Sequence, residues 1–208
     1  QLKKRQMRRL EQHKVNLQLE CKVGDDMLEK HQDSHIIWAA GAQAQAQALS
    51  SGGVALTLEQ ALTEPEKLGK KVLMVDHLGT WAVVSVAEFL ADIGKQVSLI
   101  VPTGIAGWKI SIYSSFALKH RLKEKNVQLI PGHRLLDFAN GRADIEDLSV
   151  HNSTQALLVD SVIAPISGKP NGPPDRDRTI LNIGDSVSAR TALEAVFEGH
   201  ETALFLES

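Results

Sequence analysis

Val72-Leu73-Met74-Val75-Asp76-His77-Leu78-Gly79-Thr80-Trp81-Ala82 is the stretch that decides the fold. Its four consecutive apolar residues suit a strand covered on both faces, as strands inside parallel sheets are. The turn after it leads into Ala82 to Ile93, a helix that Gly94 stops. Val97-Ser98-Leu99-Ile100-Val101 is the next strand and Pro102 ends it; a second helix finishes near Lys125, and Val127-Gln128-Leu129-Ile130 follows. Strand–helix–strand spacing of this length predicts right-handed parallel βαβ units, so the fold class is α/β.

Downstream, the periodicity shortens. Arg134 to Phe138, Ile145 to His151 and Ala156 to Val162 read as short strands, punctuated by Asn140-Gly141 and Asn152-Ser153. They predict an antiparallel excursion before the chain rejoins its sheet at Val162-Ile163-Ala164. Ser167 to Pro174 (SGKPNGPP) reads as a loop. Thr179 to Ile183 reads as a strand and Ser186 to Leu206 as a helix, with Ala192, Ala195, Val196, Ala203 and Leu206 turned to a core.

Upstream, Leu2, Met7 and Leu10 are spaced helically among Lys3, Lys4, Arg5, Arg8 and Arg9. Val15 to Glu20 alternates with period two and predicts a strand; Asp25 to His31 fits a short helix, and Ile36 to Ala40 a buried strand ending at Gly41. Ala42 to Gly53 (AQAQAQALSSGG) is low in complexity and reads as a crossing between lobes. Thr57-Leu58-Glu59-Gln60 has the pattern of a capping box, and Pro65 and Gly69 end the helix it opens.

Composition narrows the function. The chain has 208 residues, 43% hydrophobic and 23% charged, with a formal net charge of -2, which excludes a disordered or nucleic-acid-coating protein. The basic first helix lacks interleaved aromatics and reads as a solvated face, so no nucleic-acid partner is expected. No run approaches the ~20 apolar residues of a membrane span, so no membrane partner is expected either. One cysteine, Cys21, leaves no internal disulfide, four-cysteine zinc site or chain-encoded iron–sulfur cluster, and a cytoplasmic location fits it. No metal site is expected, since no His, Cys or carboxylate grouping has ligand spacing. The chain opens on Gln1 without an initiator methionine, and we expect it to be a piece of a longer protein.

Two strand-to-helix junctions are candidates for holding a phosphate, because orphan amides and the helix dipole favour an anion there. The first is Asp76, His77, Leu78, Gly79 and Thr80, where a dinucleotide-binding turn would carry glycines at the positions of Asp76, Leu78 and Trp81. Asp76 would set a carboxylate beside a pyrophosphate, Leu78 would hold the backbone away, and Trp81 would obstruct close helix–strand packing. Pro102-Thr103, after the next strand, offers neither an acid for a ribose diol nor an arginine for a 2′-phosphate. The turn is therefore read as degenerate, and NAD(P)H is not expected in it. The second junction is Asn182-Ile183-Gly184-Asp185-Ser186. Gly184 permits close approach, and Asp185 can accept hydroxyl hydrogen bonds from a sugar or ribityl chain; a cap would use the same residue types. His77 and His200 read as hydrogen-bonded or exposed histidines, Cys21 as a structural thiol, and Trp108 to Tyr113 as cleft lining or packing.

The order of these pieces resembles the C-terminal part of flavoproteins with two dinucleotide domains, and is most similar to the 2,4-dienoyl-CoA reductase and trimethylamine dehydrogenase family. Ala39-Ala40-Gly41 stands at the first domain's crossover. Ala55 to Leu62 with Leu68 to Val72 looks like the entry into the inserted domain, and Ile183-Gly184-Asp185 with Ala195 to His200 looks like the terminal motif. The resemblance implies a Rossmann-like dinucleotide-binding domain, residues 56–166, inserted into a partial FAD/ADP-binding domain made of residues 1–55 and the return segment 167–208. It implies FAD or ADP held with the help of Gly41, Gly184, Asp185 and Ser186. FMN, an iron–sulfur cluster and the reacting groups belong to an upstream flavin barrel domain, the expected partner, so no catalytic residue is assigned here. A homo-oligomer is expected as well. The whole would be a flavin-dependent oxidoreductase of the amine dehydrogenase/N-demethylase or enoyl reductase type. A non-catalytic degenerate Rossmann scaffold or subunit-interface domain is the alternative.

Overall fold

The computed structural model of the protein describes residues 2–31, 33–174 and 180–207. Thr179, the predicted first residue of a strand, and the rest of the 175–179 connection lie outside the described residues. The chain divides into two units, the first reaching to Ile37 and including Ile180 and Leu181, the second holding the remainder.

In the first unit, α1 (Leu2–Gln12) presents its lysines and arginines to solvent, with Met7 and Leu10 half-buried. α2 (Asp25–Lys30) carries Asp25 and Asp26 in its first turn and Lys30 in its last, charges that suit both ends of its dipole, and buries Leu28. Between them the predicted strand Val15 to Glu20 does not form: Val15, Leu17 and Leu19 are exposed. Lys14 and Glu20 bracket the segment with φ of 53° and 56°, and no described strand pairs with it. Alternation specifies a strand only where a neighbour covers the apolar face. β1 (Ile36–Trp38) is shorter than predicted and not buried, since Ile37 is exposed.

The second unit begins with β2 (Ala42–Ala46) and α3 (Leu58–Thr63). The capping box is present: Thr57 Oγ1 accepts the Gln60 amide at 3.2 Å and Gln60 Oε1 accepts the Thr57 amide at 2.9 Å. Then come β3 (Lys71–Val75), α4 (Trp81–Asp92), β4 (Gln96–Val101), α5 (Ile112–Glu124) and β5 (Gln128–Pro131). β6 (His133–Ala139), β7 (Arg142–Asp147) and β8 (Thr154–Leu158) form an antiparallel meander. Asn140 and Gly141, both at positive φ (51° and 76°), make its tight first turn. β9 (Ser161–Ile163) returns to the main sheet, whose order is β5-β4-β3-β9 with every pair parallel.

Strand alternation sorts the core into two layers. Val72 and Met74 of β3 and Val97, Leu99 and Val101 of β4 pack with Val83, Leu90, Leu118 and Leu122 of the helices. Leu73, Val75 and Ile100 pack with Leu135, Ala143 and Ile145 of the meander. The sheet is thus covered on both faces, which explains its continuous apolar strands.

β10 (Pro165–Pro170) pairs antiparallel with β2, from Pro165 opposite Ala46 to Pro170 opposite Ala42. Two sequence readings are corrected by this pair: the low-complexity crossing and the Ser167–Pro174 loop both contain strand. The pair is a ribbon of small and polar residues with no apolar face to announce it. Its prolines stand at the strand ends, and a register shift between Ile166 and Lys169 absorbs Ser167-Gly168.

β11 (Ile180–Asn182) pairs with β1 as a two-stranded sheet. α6 (Ala192–Glu207) starts later than predicted, after a 3-10 turn at Gly184–Ser186. Thr191 sets that start: its Oγ1 accepts the Leu193 amide at 3.2 Å, while Glu194 accepts the Thr191 amide at 3.0 Å. The predicted inward face of α6 is also corrected. Ala192, Val196 and Ala203 are exposed, and Ala195 and Leu206 are only half-buried.

Candidate functional site

The carboxyl ends of β3 and β4, where open α/β sheets take ligands, meet at Asp76. Asp76 is 1% exposed. Its Oδ1 accepts the amide of Gly79 at 2.7 Å, and its Oδ2 accepts the amide of Gly107, in the loop after β4, at 2.7 Å. Gly79 lies at φ +65°, and a Cβ there would come within 2.3 Å of Trp108 Nε1. The Gly79 carbonyl accepts the Lys109 amide at 2.9 Å, and the Lys109 ammonium stands 4.7 Å from the Trp108 ring centre. The turn is therefore closed from within. Amides of the kind that hold a pyrophosphate are spent on the carboxylate, and an indole covers the glycine.

Leu78 is half-buried against the helix-side core, and Thr80 is the N-cap of α4 without a side-chain cap bond. His77 Nε2 lies 2.8 Å from Gln47 Oε1, while Gln47 Nε2 donates to the Leu135 carbonyl at 3.1 Å. Burial pushes the His77 pKa down, with the nearby Asp76 charge opposing it. Trp81 opens α4 and is 45% exposed, and the side chain that covers the turn glycine is Trp108. Gly107 and Gln47 escaped sequence reading entirely. Neither belongs to a motif, and each acts through a contact distant in sequence.

At the second junction, the Gly184 amide donates to Glu198 Oε2 at 2.6 Å, and Arg190 Nη2 donates to Glu198 Oε1 at 2.5 Å. These two donors hold the Glu198 carboxyl below the usual range. Asp185 Oδ1 accepts the Arg190 amide at 3.0 Å, and Oδ2 has no partner among the described residues. Ser186 is buried, with its hydroxyl 3.0 Å from the Trp38 carbonyl, 2.6 Å from Asn182 Oδ1 and 2.6 Å from the Ile183 carbonyl. Gly41 follows β1, and its carbonyl accepts the Asn171 amide at 2.9 Å. Ser186 and Gly41 thus bond to the backbone around Trp38 and Asn171, while Asp185 bonds to the Arg190 amide through one oxygen.

A hollow of about 510 Å3 lies at the other end of the sheet, lined by Lys71, Lys95, Gln96, Ser98, Lys125 and Gln128 among others. Of its lysines, Lys95 donates to the Leu68 carbonyl and Lys125 pairs with Asp92. Among the described residues, no group of three or more His, Cys, Asp or Glu is placed to hold a metal ion. Nor is any described helix long and apolar enough to cross a membrane.

The architecture is mixed α/β, with parallel and antiparallel sheets, and it recurs in solved oxidoreductases. The 6-hydroxypseudooxynicotine amine oxidase of Pseudomonas geniculata N1 matches over 89% of this chain and 31% of its own, at TM-score 0.77 and 17% identity. A 2-naphthoyl-CoA reductase matches over 94% and 30%, at 0.79 and 15%. Histamine dehydrogenase from Rhizobium sp. 4-9 matches over 91% and 31%, at 0.78 and 17%. These neighbours are of the 2,4-dienoyl-CoA reductase and trimethylamine dehydrogenase family, so the sequence resemblance holds as a likeness of fold. The chain spans about three-tenths of their length. No family model matches the chain, and no curated protein does.

Proposed function

We propose that this chain is the nucleotide-binding region of a cytoplasmic flavin-dependent oxidoreductase of the amine dehydrogenase/N-demethylase or enoyl-CoA reductase type. Residues 56–166 are its inserted dinucleotide-type domain, which does not take NAD(P)H. Residues 1–55 and 167–208 belong to an FAD- or ADP-binding domain that works with an upstream flavin barrel. The observation that carries the reading is the Asp76 carboxylate seated on the amides of Gly79 and Gly107. An anion already fills the turn, and a dinucleotide phosphate would meet both its charge and the Trp108 ring.

For FAD or ADP, the residues present fit in part. Asp185 Oδ2 would accept a ribose or ribityl hydroxyl, while the Gly184 amide reaches a phosphate only once Glu198 has moved away. A bound FAD supplies a two-electron centre; a bound ADP supplies structure alone. The chain's own contribution is to orient that nucleotide through Asp185.

The test is nucleotide retention by the longer parent protein and by its Asp185→Ala variant. Loss of bound FAD or ADP in the variant supports the reading, and equal retention by both contradicts the role of Asp185. The same closed turn favours a second reading, a non-catalytic degenerate scaffold, which predicts that the parent retains no nucleotide at all.

A further inference from the structure

We propose that Glu198 and Arg190 are positioning residues for the nucleotide: they clamp the turn after β11 so that Asp185 meets a sugar or ribityl hydroxyl in a fixed geometry. The inference rests on the proposed function and adds to it two side chains that act through Asp185.

The clamp is a closed ring of bonds. Gly184 is buried at φ +66°, and its amide donates to Glu198 Oε2 at 2.6 Å. Oε1 of the same carboxylate accepts Arg190 Nη2 at 2.5 Å, and that nitrogen also donates to the Gly184 carbonyl at 3.4 Å. Arg190 Nε donates to the Ser188 carbonyl at 3.2 Å, so the guanidinium lies back on the turn. The Arg190 amide closes the ring on Asp185 Oδ1 at 3.0 Å. One arginine therefore holds Asp185 with its backbone and Glu198 with its side chain.

Capping alone does not call for these bonds. The start of α6 is already capped by Thr191 and Glu194. Glu198 reaches back past that cap to Gly184, 14 positions upstream. It satisfies a buried amide that would otherwise cost stability, and it fixes the backbone immediately before Asp185. With Oδ1 held by the Arg190 amide, Oδ2 is the oxygen left for the ligand. A binding group locked by neighbours loses less freedom when the ligand arrives, and that difference appears as affinity.

Titration of the longer parent protein, stripped of bound nucleotide, with FAD and with ADP tests the clamp. Asp185→Ala is expected to weaken binding about tenfold or more, since it removes a hydrogen bond to a charged acceptor. Glu198→Ala is expected to weaken it comparably, and Glu198→Gln less, because its carbonyl still accepts the Gly184 amide. Arg190→Gln keeps the backbone bond to Asp185 and is expected to weaken binding in the same direction, which answers the question should Glu198→Ala not fold. On the Asp185→Ala background neither Glu198→Ala nor Arg190→Gln is expected to cost anything further, a coupling that a merely structural role would not produce. In the 208-residue chain alone, Glu198→Ala is expected to speed amide hydrogen exchange at Arg190 as well as at Gly184. Glu198→Ala binding as tight as wild type or tighter, equal losses in both backgrounds, or unchanged exchange at Arg190 overturns the inference and leaves Asp185 in its role. Asp185→Ala binding equal to wild type, or no binding by the parent, overturns the proposed role of Asp185 and the inference together.

Discussion

Asp76 Oδ2 holds the amide of Gly107 at 2.7 Å, tying the end of β3 to the loop after β4 across 31 positions of sequence. With Oδ1 on the Gly79 amide, one buried carboxylate satisfies two backbone donors in two adjacent loops. An internal anion thus replaces the external one that this part of an α/β sheet commonly binds. The residue that looks wrong for a dinucleotide is the residue that holds the turn together.

Asp76→Ala is expected to destabilise the protein by roughly 3 kcal/mol or more, because two charge-assisted bonds vanish and two amides are left without acceptors. Asp76→Asn is expected to fall between, since its carbonyl accepts one amide while its NH2 faces the other. Urea denaturation measures both. An Asp76→Ala midpoint equal to that of the wild type would remove the carboxylate from this role.

Gly79→Ala is expected to cost about 1–2 kcal/mol from the left-handed φ alone, and more from the indole 2.3 Å from the new methyl. Trp108→Gly in the same chain is expected to recover the contact part and leave the backbone part. Thermal melts of the two single variants and the double variant separate these contributions as a double-mutant cycle.

His77 makes part of the stability depend on pH. Burial lowers its folded pKa below the unfolded value of 6.5, so the unfolded chain binds more protons in the window between the two. Its contribution is complete above the unfolded pKa and is lost as pH falls through the folded one. His77→Gln, which cannot titrate, is expected to flatten the stability profile below pH 6.5; an unchanged slope would assign the acid sensitivity to other groups.

The parallel lobe was legible because its strands are covered twice and its helices once, which writes apolar runs and helical periodicity directly into residues 71–130. The meander was legible from Asn140-Gly141, whose positive φ values few other residues adopt. β2 and β10 were not, because they meet each other and not a core, so backbone pairing alone defines them. Val15 to Glu20 shows the converse failure, an apolar alternation with no described strand to cover it. At the site, the chain showed that Asp76 is a poor neighbour for a pyrophosphate. That it substitutes for one depends on Gly107 and Trp108, which only the folded chain brings to the turn.

The most direct test of the closed turn is a calorimetric titration of the protein with NADH and with NADPH. The account predicts no saturable binding of either up to millimolar nucleotide. Saturable binding of either at micromolar concentration, lost on mutation of Gly79 or Trp108, would contradict it.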